Sequence, residues 1–225
     1  MRPRINSLSA VMQRCSLRLF VHAGVLLALL TGLVNLSQAQ LGGANWTEYK
    51  PTLTYDVPPN GQLRHTFANG IHHFWVLKSD PSTFPGHDSG PRSEAHVHNN
   101  YSSGSRQFQA DINVETGTNF VSLFQVFGST PGHATSFMMF THDNGFSHYS
   151  QPIFFKGVIG VYNRVNIIHT MSTHTVDVYI NGSKTASFGD GGQASHYNKF
   201  GVYGRPAMAP FNGAFFRNVR FFMKP

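Results

Sequence analysis

Short runs of alternating apolar and polar residues, rich in Val, Ile, Phe, Tyr and Thr, follow one another after about residue 60. Gly, Asn and Asp separate the runs, and no long stretch shows the 3.6-residue period of a helix. The pattern predicts eleven strands, at Gln62–Phe67, Ile71–Leu77, Arg92–Val97, Ser105–Val114, Asn119–Gly128, Thr135–Thr141, Val161–His169, Thr175–Ile180, Lys184–Phe188, Tyr197–Tyr203 and Ala214–Met223.

Two hairpins are predicted from turn residues, at Asp143-Asn144-Gly145 and at Asn181-Gly182, because Asn-Gly accepts the positive φ of a type I′ turn. Residues 40–60 are expected to form an irregular lead-in strand, and 79–90 an exposed loop. Many strands with closely spaced turns predict an all-β fold, a single antiparallel sandwich or jelly roll.

The first 39 residues have the layout of a signal peptide. Four arginines in the first 18 residues precede the apolar run Leu19–Val34, and small residues follow at Ser37-Gln38-Ala39. The alternative is a membrane anchor, but the run is short for a span and contains His22 and Gly24. We therefore expect a signal peptide at 1–39 and one domain at 40–225, secreted to the extracellular space, with the vacuole or cell wall as possible destinations.

Charge and cysteine content change once these residues are set aside. The chain has 17 basic and 10 acidic residues, but residues 40–225 keep 13 and 10, so the net charge falls from +7 to +3. No nucleic-acid or membrane partner is then expected, and a monomer is predicted. The one cysteine, Cys15, is also removed, so the domain depends on its core. Asn45, Asn100 and Asn181 stand in glycosylation triplets.

Three polar patterns on predicted strands could carry chemistry. Strand alternation places Arg92, Glu94, His96 and His98 on one face, and this face is either solvated or the floor of a polar groove. Ligand type would allow a metal at the last three, but no further ligand is identifiable by spacing, so neither a metal nor a cofactor is predicted. The other histidines of the chain are too dispersed to assign.

The second pattern places Tyr197, Lys199, Gly201 and Tyr203 on one face of a later strand. We expect Lys199 to lower the pKa of the neighbouring phenol and make it a usable base, although an ordinary amphipathic strand fits equally well. In the third pattern, Gln125 stands inside an apolar run and is either a satisfied core amide or a cleft residue.

Together these strings resemble the alginate-lyase-2-type polysaccharide lyases of families seven and twenty, which include alginate and glucuronan lyases, and the related plant citrate-binding proteins. The resemblance rests on strings in family order over residues 55–223: Pro91-Arg92-Ser93-Glu94, Tyr101-Ser102-Ser103-Gly104, Arg106-Gln107-Phe108, Gly117-Thr118, Gln125-Val126-Phe127-Gly128, Val176-Asp177-Val178-Tyr179-Ile180-Asn181-Gly182 and His196-Tyr197-Asn198-Lys199-Phe200-Gly201-Val202-Tyr203. It implies a jelly roll of two curved antiparallel sheets with a concave substrate groove.

The resemblance also implies roles for these residues. Arg92, held by Glu94, would neutralise the uronate carboxylate, and Gln125 would be a second carboxylate clamp. Tyr197, beside Lys199, would transfer the proton in a β-elimination. Neutralising the carboxylate is the main electrostatic task, because the proton at C5 is weakly acidic.

Two positions depart from the family pattern. His96 stands where the family has a second arginine, and Phe127 replaces a histidine that serves as a base. One tyrosine can serve mannuronate and glucuronate, in which H5 and the 4-O lie on the same side of the ring. We therefore count Tyr197, Gln125, Arg92 and His96 as catalytic candidates. The substrate-binding candidates are Glu94, His98, Lys199, Tyr203 and His87.

Three functions follow from these observations. The first is a secreted lyase that cleaves a 4-linked uronate polymer of the glucuronan or mannuronan type. The second is a non-catalytic binder of citrate, another carboxylate or a glycan. The third is a structural sandwich without a small ligand. An acidic polysaccharide or a small carboxylate is the expected partner in the first two.

Overall fold

Fifteen strands and no helix make up the part of the chain that the computed structural model describes, residues 41, 45–59, 63–84, 90–128, 135–192 and 194–225. The strands are β1 Thr47–Tyr49, β2 Leu53–Asp56, β3 His65–Ala68, β4 Ile71–Leu77, β5 Arg92–Val97, β6 Ser105–Val114, β7 Val121–Phe127, β8 Thr135–His142, β9 Gly145–His148, β10 Phe155–Lys156, β11 Tyr162–Thr170, β12 Thr175–Ile180, β13 Ser183–Gly189, β14 Tyr197–Gly204 and β15 Phe211–Lys224.

The strands form two antiparallel sheets. The first has the order β13-β12-β11-β6-β15-β4-β3, with β1 paired to β15, and the second has the order β10-β9-β8-β7-β14-β5-β2. Each sheet combines consecutive strands with neighbours that are distant in sequence, such as β6 beside β15 and β14 beside β5, as expected for a jelly roll rather than a meander. The predicted fold class is therefore confirmed, and the second sheet brings β5, β14 and β7 side by side.

Apolar side chains fill the space where the two sheets face each other. Phe200 of β14 makes edge-to-face contacts with Phe74 of β4, with ring centroids 5.6 Å apart, and both rings are fully buried. Ala95 and Val97 of β5 are also fully buried in this core. Because alternate residues of a strand point to opposite faces, Arg92, Glu94 and His96 must lie on the other face of the second sheet.

The structure contains short strands, some of them at sheet edges, that were not predicted from the sequence. The lead-in segment contains two separate strands, β1 and β2, and two further strands, β9 and β10, follow β8. The loop between β8 and β9 consists of Asp143 and Asn144, with φ of 49° and 57°, so Gly145 already belongs to the next strand. The predicted turn at Asn181-Gly182 is confirmed, with φ of 52° and 88°.

The described strands lie in one compact unit, Gly42–Pro225. The predicted signal peptide at 1–39 lies outside the described residues, and its removal stays a prediction, as does glycosylation. No helix among the described residues has the length and apolar character that a membrane span requires.

Candidate functional site

The pairing of β5 with β14 brings two of the three predicted polar patterns together. Lys199 pairs with His96, Gly201 with Glu94 and Tyr203 with Arg92. On its other side β14 pairs with β7, where Lys199 lies opposite Gln125. Directly paired residues point to the same face of a sheet, so the candidate residues form one continuous polar surface. We call this surface the groove.

Arg92 presents a guanidinium held by aromatic rings. Its Cζ lies 3.9 Å from the centroid of the Tyr203 ring and 4.9 Å from that of Phe84. Nη1 is 3.6 Å from Glu94 Oε2, which is an ion-pair distance but not a hydrogen bond, and the buried Nε has no hydrogen-bond partner in the described chain. The guanidinium is therefore oriented while part of its donor capacity is unused.

Glu94 lies behind Arg92 with no solvent exposure. Burial raises its pKa, although the charges of Lys199 and Arg92 and a hydrogen bond from Gln125 act in the opposite direction. Gln125 donates through Nε2 to Glu94 Oε1 and accepts from Thr135 Oγ1 at 3.2 Å. Both ends of the glutamine amide are thus engaged, and Gln125 holds the glutamate in place instead of offering a free clamp to a ligand.

Lys199 pairs with a residue that sequence reasoning did not identify. Its Nζ lies 2.7 Å from Asp56 Oδ2 on β2, an edge strand that pairs with β5. Lys199 is nearly fully buried, so this carboxylate offsets much of the cost of desolvating the ammonium. The second cation of the groove is partly neutralised within the protein.

A row of four rings crosses the groove on three adjacent strands. His98 stacks on His96 at 4.8 Å, and His96 stacks on Tyr197 at 4.3 Å. Phe127 lies beside the same tyrosine at 4.9 Å. Burial and the nearby charge of Lys199 lower the pKa of His96, so its imidazole is neutral at pH 7. His96 therefore places an imidazole beside Tyr197, which the phenyl ring of Phe127 cannot provide.

The expected effect of Lys199 on the phenol is wrong. Burial raises the pKa of Tyr197 to about 12, and the carboxylates of Asp56 and Glu94 raise it further, while Arg92 acts in the opposite direction. The tyrosine is therefore protonated at neutral pH and is suited to donating a proton.

An irregular stretch of β14 allows these side chains to approach each other. The pairing of β14 with β7 shifts register between Phe200 and Tyr203. Gly201 lies in this stretch with φ of 141°, and a Cβ there would collide with the carbonyl oxygen of Ser93. Only glycine fits this conformation and this close backbone approach.

The structure brings together every predicted site residue that it describes, and His87 lies outside the described residues. Sequence reasoning missed Phe84 and Asp56, and it also missed Arg205, whose Nη1 donates to the hydroxyl of Tyr203 at 3.0 Å. Phe84 and Arg205 come from loops and Asp56 from an edge strand, and no polar pattern on the predicted strands marks them.

No protein-family model matches the chain. A citrate-binding protein from Hevea brasiliensis is 33% identical over 163 residues, which are 72% of this chain and 66% of that protein.

Several solved alginate lyases have the same fold. The family 7 polysaccharide lyase AlgAT5 superposes with a TM-score of 0.61 at 14% identity, covering 80% of this chain and 95% of that one. An alginate lyase from Corynebacterium sp. gives 0.61 at 10% identity, covering 80% and 94%. The chain is a sequence relative of a citrate-binding protein with the fold of family 7 alginate lyases.

These likenesses support the superfamily predicted from the motifs, while membership of the alginate-lyase-2 type stays a prediction. Another neighbour of the same fold, alginate lyase A1-II′, was solved in complex with a GGG product; its TM-score is 0.58 at 12% identity, covering 80% of this chain and 95% of that one.

Proposed function

We propose that the groove binds the carboxylate group of a small organic acid or of an acidic sugar. The observation that carries the proposal is the guanidinium of Arg92, which Tyr203 and Phe84 orient while its buried Nε has no hydrogen-bond partner in the described chain. A planar guanidinium with free donors is the group that best matches a carboxylate.

Citrate fits the arrangement of cations in the groove because it has three carboxylates. Arg92 and Arg205 both lie against the ring of Tyr203, at 3.9 and 5.5 Å, and Lys199 lies 5.8 Å from the ring of Phe84. Three cations thus lie near these two rings, and Arg92 contacts both of them. The sequence relationship to a citrate-binding protein supports the same ligand.

The proposal includes secretion of the protein after removal of residues 1–39. The basic and apolar segments of that region support this location. A small organic acid and a wall polysaccharide are both ligands that an exported protein meets.

Calorimetric titration with citrate and with an oligoglucuronate tests the proposal. We expect saturable binding of at least one of the two, and at least a tenfold loss in Arg92→Gln, about 1.4 kcal/mol. Arg220→Gln is the matched control, because Arg220 pairs with Glu48 on the other sheet. If neither ligand binds, or if both variants bind equally well, the proposal is wrong.

A second candidate is a lyase that acts by β-elimination on a glucuronate or mannuronate polymer, and the stacking of His96 on Tyr197 favours it. The neutral imidazole would remove the proton at C5 while Arg92 stabilises the charge that develops on the carboxylate. The bond between C4 and the glycosidic oxygen would then break, and the Tyr197 hydroxyl would protonate the leaving oxygen.

Absorbance of the unsaturated uronate product distinguishes the lyase from the binder. A lyase gives rising absorbance with glucuronan or mannuronan, and Tyr197→Phe abolishes it without loss of oligosaccharide affinity. If saturable binding occurs and the wild type gives no more absorbance than Tyr197→Phe, the protein is a binder only.

A further inference from the structure

A second cluster of ionisable residues lies on the opposite side of β14 from the groove. His169 comes from the end of β11, Asp190 follows β13, and His196 immediately precedes β14. Each of the three is at most 1% exposed. Two histidines and a carboxylate with so little solvent contact need polar partners inside the protein. The proposed function uses none of these three residues.

The polar atoms of this cluster already lie close together. His169 Nε2 is 3.0 Å from Asp190 Oδ2, and His174 Nδ1 approaches the same oxygen at 3.1 Å. One ligand atom from each of His169, Asp190 and His196 can be chosen so that all three lie within 4.8 Å of one another. Donors about a tetrahedral zinc ion lie roughly 3.4 Å apart, so a small contraction would suffice.

His196 carries an unused lone pair. Its Nδ1 lies 3.3 Å from Ser136 Oγ, and the serine hydroxyl itself donates to the carbonyl of Gly128. Nδ1 must therefore be the protonated nitrogen, which leaves Nε2 as an acceptor. This Nε2 is buried and has no hydrogen-bond partner among the described residues. Metal-binding histidines are typically oriented in this way by a bond at the other nitrogen.

The outer nitrogen of His169 is held in a similar way. Its Nδ1 lies 2.8 Å from the hydroxyl of Tyr101, a group that can either donate or accept. The neutral ring can thus carry its proton on Nδ1, which leaves the lone pair of Nε2 available to a cation. His174, which contacts the same carboxylate, is the residue of the cluster that reaches solvent, because its side chain is 46% exposed.

We propose that His169, Asp190 and His196, with His174 as a fourth ligand, bind a divalent transition-metal ion such as Zn²⁺. Three imidazoles and one carboxylate would supply four ligands of the nitrogen and oxygen types that Zn²⁺ accepts. The ligands come from both sheets, so the ion would join them at one end. Residues 40–225 contain no cysteine, and the ion would provide the cross-link that a disulfide provides elsewhere.

Metal analysis and calorimetry with Zn²⁺ on chelator-treated, full-length secreted protein test the site. We expect one ion per chain, a higher unfolding temperature with Zn²⁺, and the visible spectrum of tetrahedral Co²⁺ when cobalt replaces zinc. Asp190→Asn and His196→Gln should each weaken binding by at least about tenfold. Because these buried variants could unfold, His174→Ala at the exposed edge provides an independent test with the same expected direction.

His98→Gln is the matched control, because Glu94, His96 and His98 of the groove are the rival metal ligands. It should leave the stoichiometry and affinity for Zn²⁺ unchanged. The proposal is overturned if the wild type binds no Zn²⁺. It is also overturned if His98→Gln reduces zinc affinity while folded His174→Ala does not.

Discussion

The ring of His96 lies flat on the ring of Tyr197, with centroids 4.3 Å apart and planes inclined by 8°. The stack keeps a neutral imidazole and a protonated phenol on one side of any sugar that occupies the groove. A base and an acid on the same side suit a substrate whose departing proton and leaving oxygen also share a side.

Replacement of His96 by Phe tests the imidazole as a base while it keeps the packing of the ring on Tyr197. Phe preserves the stack on Tyr197 but has no ring nitrogen to accept a proton. If the protein is a lyase, turnover of glucuronan should fall at least about 100-fold in His96→Phe, while binding of the oligosaccharide changes less than threefold. Unchanged turnover would show that the imidazole is not the base.

Replacement of Arg92 by Lys tests whether shape or charge recognises the ligand. Lys keeps the positive charge but has neither the planar fork nor the flat contact with Tyr203. We expect citrate or oligoglucuronate affinity to fall at least about tenfold in calorimetry. Arg220→Lys, on the other sheet, should bind as the wild type does, and equal affinities in all three proteins would contradict a bidentate contact.

Carboxylate affinity should depend on the protonation of Glu94. Burial raises the pKa of Glu94, and a bound anion beside Arg92 adds a negative charge that favours the protonated form further. Affinity for an oligoglucuronate should therefore fall as the pH rises through the pKa of Glu94. Glu94→Gln mimics the neutral acid, so its calorimetric affinity should stay constant over the same range; a slope equal to that of the wild type would exclude Glu94 as the titrating group.

Acid should destabilise the fold through a histidine pair on the first sheet. His65 and His72 share a hydrogen bond of 3.1 Å, and burial lowers the pKa of each to about 4. Between pH 6.5 and 4 the unfolded chain binds protons that the folded chain does not, so stability falls as the pH falls.

The loss should be of order 2 kcal/mol for one histidine. Urea unfolding at several pH values should show a shallower decline for His72→Phe, whereas His98→Gln, an exposed substitution, should follow the wild type. Parallel declines in all three proteins would place the acid sensitivity elsewhere.

Gly201→Ala should be strongly destabilising. The new Cβ would strike the backbone of Ser93, and a φ of 141° is unfavourable for alanine, with a combined cost of at least about 2 kcal/mol. Gly189→Ala is the matched control, because a Cβ there meets only one atom, at 4.0 Å. Comparable urea midpoints for the two variants would contradict the inferred constraint.

Much of the groove could be predicted from strand periodicity. Alternation along Arg92–Val97 is sufficient to assign one polar and one apolar face, and the structure has the same strand bounds. The pairing of β5 with β14, which brings their polar faces together, is known only from the structure. Local patterns were sufficient here because each residue's face depends only on its own strand.

Other parts of the site depend on contacts between distant segments. Asp56 lies on a four-residue edge strand with little apolar alternation and meets Lys199 only after both sheets have formed. His169 and His196 are likewise unremarkable in sequence, because each stands alone among strand residues. The roles of such residues depend on tertiary packing, which no short window of sequence encodes.

The aromatic contacts of Arg92 have a consequence for ligand selection. A guanidinium whose rotation is limited by Tyr203 and Phe84 offers its hydrogens in one plane, at a fixed angle. An anion that binds there in a bidentate way must bring two of its oxygens into that plane, so the two rings fix the orientation of its acid group. For an acidic sugar of the kind proposed above, the acid group would thus set the angle at which the sugar ring enters the groove, before any linkage or ring configuration is read.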